Sequence, residues 1–404
     1  MLRFGLNSNS EMKWLQKTIS SLMEENVLKK FILSFGIILT GLLLTACGSA
    51  DNLQGGTTSS GPKTQLTGQT DSSYYQGVIE NGRYQTSKSR GVSVQQESNQ
   101  FNIKGFENGL LNISKKQFST KKYIFQEGQY LSTNTVENWL NRKSKTNPTG
   151  LNPTSNGSTS PTKRNPLYLS QIDEQDFVVQ NGKKLNLSGM TIGLAINSVD
   201  YFKKSQNGPT LQTNISDAQV QSQGKAIANQ VLQRVRKIKG VGNIPIVIAL
   251  YKQASNDSLV GGSFFDYSVN TGSSSAVSTW KPINQQTYVF PIPSGQKGPN
   301  KNDQDAFDNF KSQVQNFFPN LSGVVAQVQY TDGILSGMNV NITTQFYSQT
   351  EIISFTQYLQ QAAEKYLPQT APIDISVQST EGMESFLSRG INQKNFTAHI
   401  FNSY

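Results

Sequence analysis

The residues whose types and spacing could support chemistry are concentrated in the tetrapeptide Leu44-Thr45-Ala46-Cys47, which holds the only cysteine among 404 residues. This is the pattern of a bacterial lipobox. In such a motif the thiol accepts a diacylglyceryl group, the small residue before it admits signal peptidase II, and the apolar residue fits that enzyme's pocket. We therefore predict a lipid on Cys47, with prolipoprotein diacylglyceryl transferase and signal peptidase II as maturation partners. The alternative is a buried cysteine in an N-terminal anchor helix.

The element that must position this cysteine is the segment before it. Lys29 and Lys30 precede an apolar run over residues 31–46, which is short for a membrane-spanning helix of about 20 residues. A basic start, a short apolar run and a small residue before the cleavage point are typical of a secretory signal peptide, here residues 1–46. We expect the mature protein on the extracytoplasmic face of the cell membrane, held by a lipid anchor with acyl chains such as palmitate.

Residues 1–26 precede an ordinary signal start and allow two interpretations. They are either a long n-region or a translation-start artefact, with true initiation at Val27 or Leu28. We favour the artefact, because these two residues and the lysine pair after them form the usual beginning of a signal peptide.

The counts of cysteine and histidine limit the kinds of catalytic and metal site that the rest of the chain can contain. One cysteine excludes an internal disulfide and a cysteine-based zinc site, and one histidine, His399, excludes a centre with several histidines. These counts disfavour hydrolases and metalloenzymes, so we expect no enzymatic activity, metal or cofactor. The net charge is +10, from 36 basic and 26 acidic residues. The basic residues are scattered and no binding motif accompanies them, so nucleic acid is not an expected partner.

Four other groups of residues have both a functional and a structural interpretation, and we favour the structural one for each. Asp173-Glu174-Gln175-Asp176 could bind a cation but does not match a calcium loop, so we interpret it as a solvated lead-in to a strand. Gly240-Val241-Gly242 follows a helix, which favours a glycine cap over a phosphate loop. Gly261-Gly262, close to three aromatic residues, could line a pocket, but core packing with a turn is the simpler explanation. His399 has no visible acid or nucleophile partner.

Shifts in composition divide the chain after the signal. Residues 47–104 begin with the lipidated cysteine and are rich in Gly, Ser, Thr and Gln, which predicts a disordered tether. Residues 105–141 contain enough apolar side chains for a small ordered segment that packs on the later part of the chain. Residues 142–165 are rich in Asn, Ser, Thr and Pro and are predicted to be a linker.

The remaining sequence contains a tandem repeat, with units at 166–298 and 299–404. The tetrapeptide Leu187-Ser188-Gly189-Met190 recurs as Leu335-Ser336-Gly337-Met338. Each copy stands between two predicted strands and is followed by an amphipathic helix and then by a strand that begins at a proline. We predict an α+β fold of two tandem ββαβ-type repeats with mostly antiparallel sheets.

Two kinds of element complete the predicted repeats. A last strand is expected to close each unit, near Thr287–Ile292 in the first and Thr397–Phe401 in the second. Helix Asp303–Phe318 carries four large apolar side chains on one face. We predict that this helix bridges the two units.

Several long segments resemble the CamS family of Gram-positive lipoproteins, which are sex pheromone precursors. They include FENGLLNISKKQFSTKKYIFQEGQYL (106–131), GMTIGLAINSVDYFKK (189–204) and IPIVIALYKQASNDS (244–258), together with the lipobox. The resemblance covers roughly residues 105–404 plus the signal. It implies two repeats, in agreement with the internal repeat, and a membrane-anchored body with no settled biochemical activity.

The resemblance also implies a function for the cleaved signal peptide, whose remnant is shortened by a second membrane protease to a hydrophobic peptide that can act as a conjugation pheromone. A second class of function is a solute- or polymer-binding lipoprotein at the cell surface, which would show a cleft between the repeats lined by converging polar groups. The candidate pheromone residues are Leu39, Thr40, Gly41, Leu42, Leu43, Leu44, Thr45 and Ala46, or the same peptide without Leu39.

Overall fold

The computed structural model of the chain describes residues 63–95, 99–317, 323–346 and 348–402. Within these ranges it contains 17 strands and six helices. Before residue 240 these are β1 (Thr64–Leu66), β2 (Val78–Glu80), β3 (Arg83–Tyr84), α1 (Arg90–Gln95), α2 (Gln100–Gln117), β4 (Ile124–Glu127), α3 (Thr133–Leu140), β5 (Leu169–Asn181), β6 (Lys184–Ile196), β7 (Val199–Lys203), β8 (Thr210–Asn214) and α4 (Asp217–Val235).

The elements after residue 240 repeat part of this order. They are β9 (Ile246–Lys252), β10 (Ser263–Asn270), β11 (Lys281–Pro282), β12 (Gln285–Phe290), α5 (Lys301–Phe317), β13 (Gly323–Thr331), β14 (Ile334–Thr343), α6 (Gln349–Tyr366), β15 (Ile373–Gln378), β16 (Met383–Arg389) and β17 (Thr397–Ile400).

The first sheet has the strand order β11-β10-β9-β6-β5-β4. β5 and β6 form an antiparallel hairpin, and β9 lies parallel to β6. A parallel neighbour requires a crossover connection, which α4 provides. This helix begins at a capping box formed by Ser216 and Gln219. Its predicted apolar stripe is confirmed, because Val220, Ile227 and Val231 are buried in the core of this sheet.

The second sheet has the order β12-β13-β14-β15-β16-β17 and repeats the same connection. β13 and β14 pair around Asp332-Gly333, both with positive φ, as a two-residue type I′ hairpin turn requires. α6 then crosses over, and β15 returns parallel to β14. All other strand pairs in the described ranges are antiparallel, so the predicted α+β class with mostly antiparallel sheets is confirmed.

The tandem repeat extends to the register of the hydrogen bonds. Met190, the last residue of the first Leu-Ser-Gly-Met copy, lies opposite Ile246, and Met338 of the second copy lies opposite Ile373. The backbone N–H of each methionine donates to the carbonyl of the proline before the facing strand, at 3.1 Å in both cases. The recurring tetrapeptide therefore marks equivalent positions in the two sheets.

The closing strand predicted near Thr287–Ile292 belongs to the other sheet. The structure places it as β12, which pairs with β13 over six consecutive positions. The first sheet is closed by the two-residue strand β11. The prediction is wrong because nearness in sequence does not decide which strands pair, and this strand forms a longer ladder with β13 than β11 forms with β10. The second closing strand is confirmed as β17.

The predicted bridging helix is α5, and it does not lie at a seam between the units. Its buried side chains, Phe307, Phe310 and Val314, belong to the core of the second sheet. The two sheets, which lie within one compact unit, are joined by other contacts. The backbone N–H of Phe264 donates to Gln285 Oε1 at 2.9 Å, and Gln327 Nε2 donates to the carbonyl of Leu259 at 3.0 Å.

The segment before the repeats is more ordered than predicted. The prediction of a disordered tether over residues 47–104 is wrong from residue 63 onward. There β1 to β3 form a small sheet, and α1 follows it. Residues 47–62 lie outside the described residues. The prediction that 105–141 packs on the later part of the chain is confirmed, because β4 pairs with β5.

The predicted linker at 142–165 is a packed loop rather than a free connection. Asn152, which is 1% exposed, donates from its side chain to the carbonyls of Leu140 and Leu169 at 2.7 and 2.8 Å. Its Oδ1 accepts the backbone N–H of Leu169 at 2.9 Å. One buried carboxamide thus fixes the loop to the start of β5 and the end of α3.

Candidate functional site

The residues predicted to be processed, from Leu39 to Cys47, lie outside the described residues. The remaining candidates fall on the folded region and can be placed. None of the described helices is both long and apolar enough to cross a membrane.

In the acidic segment Asp173–Asp176 the last three residues are buried and Asp173 is partly buried, which corrects its interpretation as a solvated lead-in. Glu174 is 2% exposed and Asp176 is fully buried. Both lie in β5, an inner strand between β4 and β6, where neighbouring elements cover them. Local composition could not show this cover, because it comes from a loop more than 40 residues earlier in the chain.

Glu174 and Asp176 hold that loop, which joins β4 to α3. Glu174 accepts the backbone N–H groups of Tyr130 and Leu131 at 2.9 and 2.6 Å, and Asp176 accepts that of Gln129 at 2.9 Å. Burial raises the pKa of Glu174 while these hydrogen bonds oppose the rise; burial and then the charge of Glu174 raise the pKa of Asp176. Their role in the described contacts is structural.

Asp173 lines a small cavity of about 250 Å³ together with Arg90, Glu107 and Glu127. Burial, then the charges of Glu107, Glu174 and Glu127, raises the pKa of Asp173 to about 8. Burial also raises the pKa of Glu107. A carboxyl group of this kind keeps its proton near neutral pH and can donate a hydrogen bond. In the described part of the chain, no group of three or more His, Cys, Asp and Glu side chains is arranged to hold a metal ion.

The glycine pair Gly261-Gly262 lies in the loop between β9 and β10, directly before β10, and also lines a larger cleft. The backbone N–H of Gly262 donates to Asn102 Oδ1 at 2.7 Å, and a Cβ at this position would lie 2.0 Å from the carbonyl oxygen of Lys252. Of the nearby aromatic residues, Phe264 is buried in the core beneath α2. Glycine is therefore required at position 262 by the close approach of the Lys252 backbone, and the pair lines one side of the cleft.

This larger space, the inter-repeat cleft, has a volume of about 640 Å³. One wall is the outer side of α2, with Lys104, Asn108 and Asn112. The floor is the face of the second sheet that α5 and α6 leave open. The side chains of the floor are mainly amides and hydroxyls: Gln327, Gln329, Ser336, Asn339, Asn341, Asp374 and Ser376, with the ring of Phe386 beside them.

Some polar groups of the cleft are paired and others are available. Ser376 Oγ donates to Asn341 Oδ1 at 2.7 Å, and Ser388 Oγ donates to Asp374 Oδ1 at 2.6 Å. In contrast, four carboxamides of the cleft have no hydrogen bond to any described protein group. These four carboxamides, each with two donor hydrogens and one acceptor oxygen, are those of Asn108, Asn112, Gln329 and Asn339.

Two other candidates lie elsewhere. His399 is exposed on β17, opposite Phe386 in the ladder, and its ring meets that of Phe401 edge-on at 4.9 Å. Gly240 has φ +90° but comes five residues after α4 ends at Val235, so it belongs to the following turn rather than to the helix cap.

The sequence interpretation missed the floor of the cleft, although a signal was present. In β13, β14 and β15 apolar residues alternate with Gln, Asn, Asp and Ser. Such alternation is typical of a sheet with one buried and one open face. What the pattern cannot show is that α2 stands opposite this open face.

Comparisons with known proteins agree with this architecture. The family model described as CamS sex pheromone cAM373 precursor matches residues 84–395. A crystal structure of a sex pheromone precursor from Lactobacillus salivarius is similar, with 51% identity, a TM-score of 0.81, and coverage of 84% of this chain and 100% of that one. The C-terminal domain of the sex pheromone staph-cAM373 precursor from Staphylococcus aureus has 32% identity and a TM-score of 0.67, covering 76% and 99%. None of the curated proteins matches the chain.

Proposed function

Because the chain belongs to the CamS family of sex pheromone cAM373 precursors, we propose that it is a lipoprotein precursor whose folded region stands at the outer face of the cell membrane. The observation that carries this proposal is the lipobox, which places the only cysteine, Cys47, directly after a short apolar run. A thioether-linked diacylglyceryl group provides two acyl chains, and an N-acyl group adds a third. That number gives stable anchoring, whereas one chain is marginal.

Replacement of the cysteine tests the anchor. Cys47→Ser removes the thiol that prolipoprotein diacylglyceryl transferase modifies, so the protein should be shed or remain an unprocessed precursor. Ser49→Ala, two residues further on, should leave both processing and detergent partitioning unchanged. Equal partitioning of Cys47→Ser and wild type into the detergent phase would contradict the proposal.

The cleaved signal peptide provides the second part of the proposal. Signal peptidase II leaves a free carboxyl group on Ala46, and the remnant before it is apolar and uncharged in its side chains after Lys30. Such a remnant stays in the bilayer until a membrane protease shortens it. The peptide Leu39–Ala46, or the same peptide without Leu39, is then small enough to leave the cell and act as a pheromone.

Mass spectrometry of culture supernatants tests release of this peptide. Wild-type cells should release one of the two peptides, and cells producing Cys47→Ser should release neither, because the bond after Ala46 is not cut. Equal or absent signals in the two cultures would exclude the pheromone role for this chain.

For the folded region we propose binding rather than catalysis, in agreement with a solute- or polymer-binding lipoprotein. The inter-repeat cleft supports this proposal, since its floor and wall present unpaired carboxamides. A photo-crosslinking residue at Asn112 should capture a cell-surface component, while the same residue at Asn309, on α5, should not. Chemical turnover of the captured component would argue for an enzyme instead.

A further inference from the structure

We propose that the inter-repeat cleft binds a neutral, hydroxyl-rich polymer, that is, a glycan chain. The inference rests on the proposed binding function of the folded region but not on lipid attachment at Cys47. The cleft volume of about 640 Å³ lies within the range of about 300–1,000 Å³ that is typical of ligand sites.

The floor of the cleft determines which groups can contact a ligand. It is formed by β13, β14 and β15, each of which is paired with a strand on both sides. Their backbone N–H and C=O groups are therefore occupied, and no sheet edge is free at this place for an extended peptide to join as an extra strand. Recognition has to use side chains.

The side chains offered are matched to hydroxyl groups. Carboxamides donate and accept hydrogen bonds, as hydroxyls do, and four of them have no protein partner in the described contacts: Asn108 and Asn112 on the wall, and Gln329 and Asn339 on the floor. Two of these groups face the ligand from α2 and two from the second sheet. A chain lying between the walls could thus be hydrogen-bonded from both sides.

The charge and apolar surface of the cleft point to the same ligand class. Its charged side chains are Lys104 and Asp374, which are of opposite sign. This favours a neutral polymer over nucleic acid or another polyanion, which would require a positive surface. Phe386 projects on the open face of β16, because its neighbours Ser385 and Leu387 are buried on the helix side. Its ring provides an apolar surface for the C–H face of a sugar.

Binding to oligosaccharides of known composition tests the proposal. The full-length protein is purified in a polyoxyethylene detergent, because sugar-headed detergents would compete for the cleft. The probes are a β-1,4-linked N-acetylglucosamine hexamer and a maltohexaose, titrated by calorimetry. Wild type should bind at least one of them, and the double variant Gln329→Ala/Asn339→Ala should bind it about tenfold or more weakly, since two hydrogen-bonded groups are lost.

A matched control separates the cleft from the rest of the surface. Asn309→Ala/Gln361→Ala removes one Asn and one Gln from α5 and α6, which cover the opposite face of the same sheet. Both are exposed, and neither side chain has a hydrogen bond in the described contacts. This control should bind as wild type does. Phe386→Leu, which keeps apolar bulk but removes the ring face, should weaken binding several-fold with little change in the unfolding midpoint.

Three results would overturn the inference. They are the absence of binding to both hexamers, an equal loss in the cleft and control variants, and cleft-dependent binding of an uncharged polar peptide with no binding of either hexamer. These measurements use purified protein, so their failure would leave the anchoring and peptide-release results unaffected.

Discussion

The two sheets share one register but differ in what covers their second face. Beneath α2, the first sheet presents Gly193, Val247 and Ala249. The equivalent positions of the second sheet, counted from the matched methionine pairs, are Asn341, Asp374 and Ser376, and they face the inter-repeat cleft. The same backbone framework thus forms a fully buried layer in one repeat and the floor of an open cleft in the other.

The strands β9 and β15 show how the number of buried sheet faces is reflected in the sequence of a strand. β9 has the sequence IVIALYK and is buried along almost its whole length, whereas β15 has IDISVQ and alternates between buried and exposed. A strand buried on both faces is apolar throughout, and one with an open face alternates. The open face of the second sheet is therefore a property of its sequence.

A charge in the covered face is the most severe test of the comparison. Val247→Asp places a carboxyl group in a fully buried position under α2, where its charge would be unpaired. Leaving an unpaired charge in such a site costs about 3–5 kcal/mol, so we expect the first sheet to lose α2 or the chain to unfold. Denaturant unfolding followed by circular dichroism measures this loss.

The control for this variant adds a carboxyl group to the open face. Asn339→Asp is exposed to the cleft and should change the free energy of unfolding by less than about 0.5 kcal/mol. If both variants were equally stable, α2 would not seal the first sheet in solution.

The glycines of the repeated tetrapeptide give a second test of the same contrast. A Cβ at Gly189 would lie 2.2 Å from the ring of Phe118, whereas a Cβ at Gly337 would meet nothing within 4 Å. Gly189→Ala should therefore lower the free energy of unfolding by about 1–3 kcal/mol through overpacking. Gly337→Ala should be neutral or slightly stabilising, because it restricts the unfolded chain. Thermal unfolding of the two variants side by side decides; equal melting temperatures would refute the contrast.

These positions also show how far the sequence could predict the structure. The Leu-Ser-Gly-Met copies and the helix stripes were sufficient for the repeat and its crossover helices, because both are local patterns. The strand β12 could not be assigned to its sheet, since strand order depends on pairing between distant segments. For the same reason the burial of Glu174 could not be predicted, because the N–H groups that it binds come from a distant loop.

The third prediction concerns a carboxyl group found in the first sheet alone. Asp173 corresponds to Val325 of the second sheet, as each lies three positions before the residue facing the matched methionine. With its pKa raised to about 8, Asp173 keeps a proton in the folded state that an unfolded chain loses near pH 4. The free energy of unfolding should therefore fall as the pH rises from about 4 to 8, and stay level above this range.

Replacement of this carboxyl group should reduce the pH dependence. Asp173→Asn cannot ionise, so at pH 8.5 we expect it to be more stable than wild type by about 1–2 kcal/mol, with a smaller difference at pH 5.5. This gain in stability is smaller than a fully buried carboxyl group would give, because the Asp173 side chain is partly exposed to solvent. Melting temperatures at the two pH values test it. Asp305→Asn, exposed on α5, should show no such pH-dependent gain, and a wild-type midpoint that rises with pH would contradict the assignment.

The smallest effect that we expect comes from the opposite replacement, of an acidic residue by valine, at the position of the second sheet that matches Val247. Asp374→Val gives β15 the valine that β9 carries at Val247, but the side chain remains exposed because no helix covers that face. The variant loses the hydrogen bond that Ser388 Oγ donates to Asp374 Oδ1, and gains the higher strand propensity of valine. These contributions oppose each other, and the free energy of unfolding should change by less than about 0.5 kcal/mol. Ser388→Ala removes the same hydrogen bond but leaves the residue at position 374 unchanged. A comparison of the denaturant midpoints of the two variants therefore separates the two contributions. A gain above about 1 kcal/mol would mean that Asp374 is covered in solution, and the second sheet would then resemble the first.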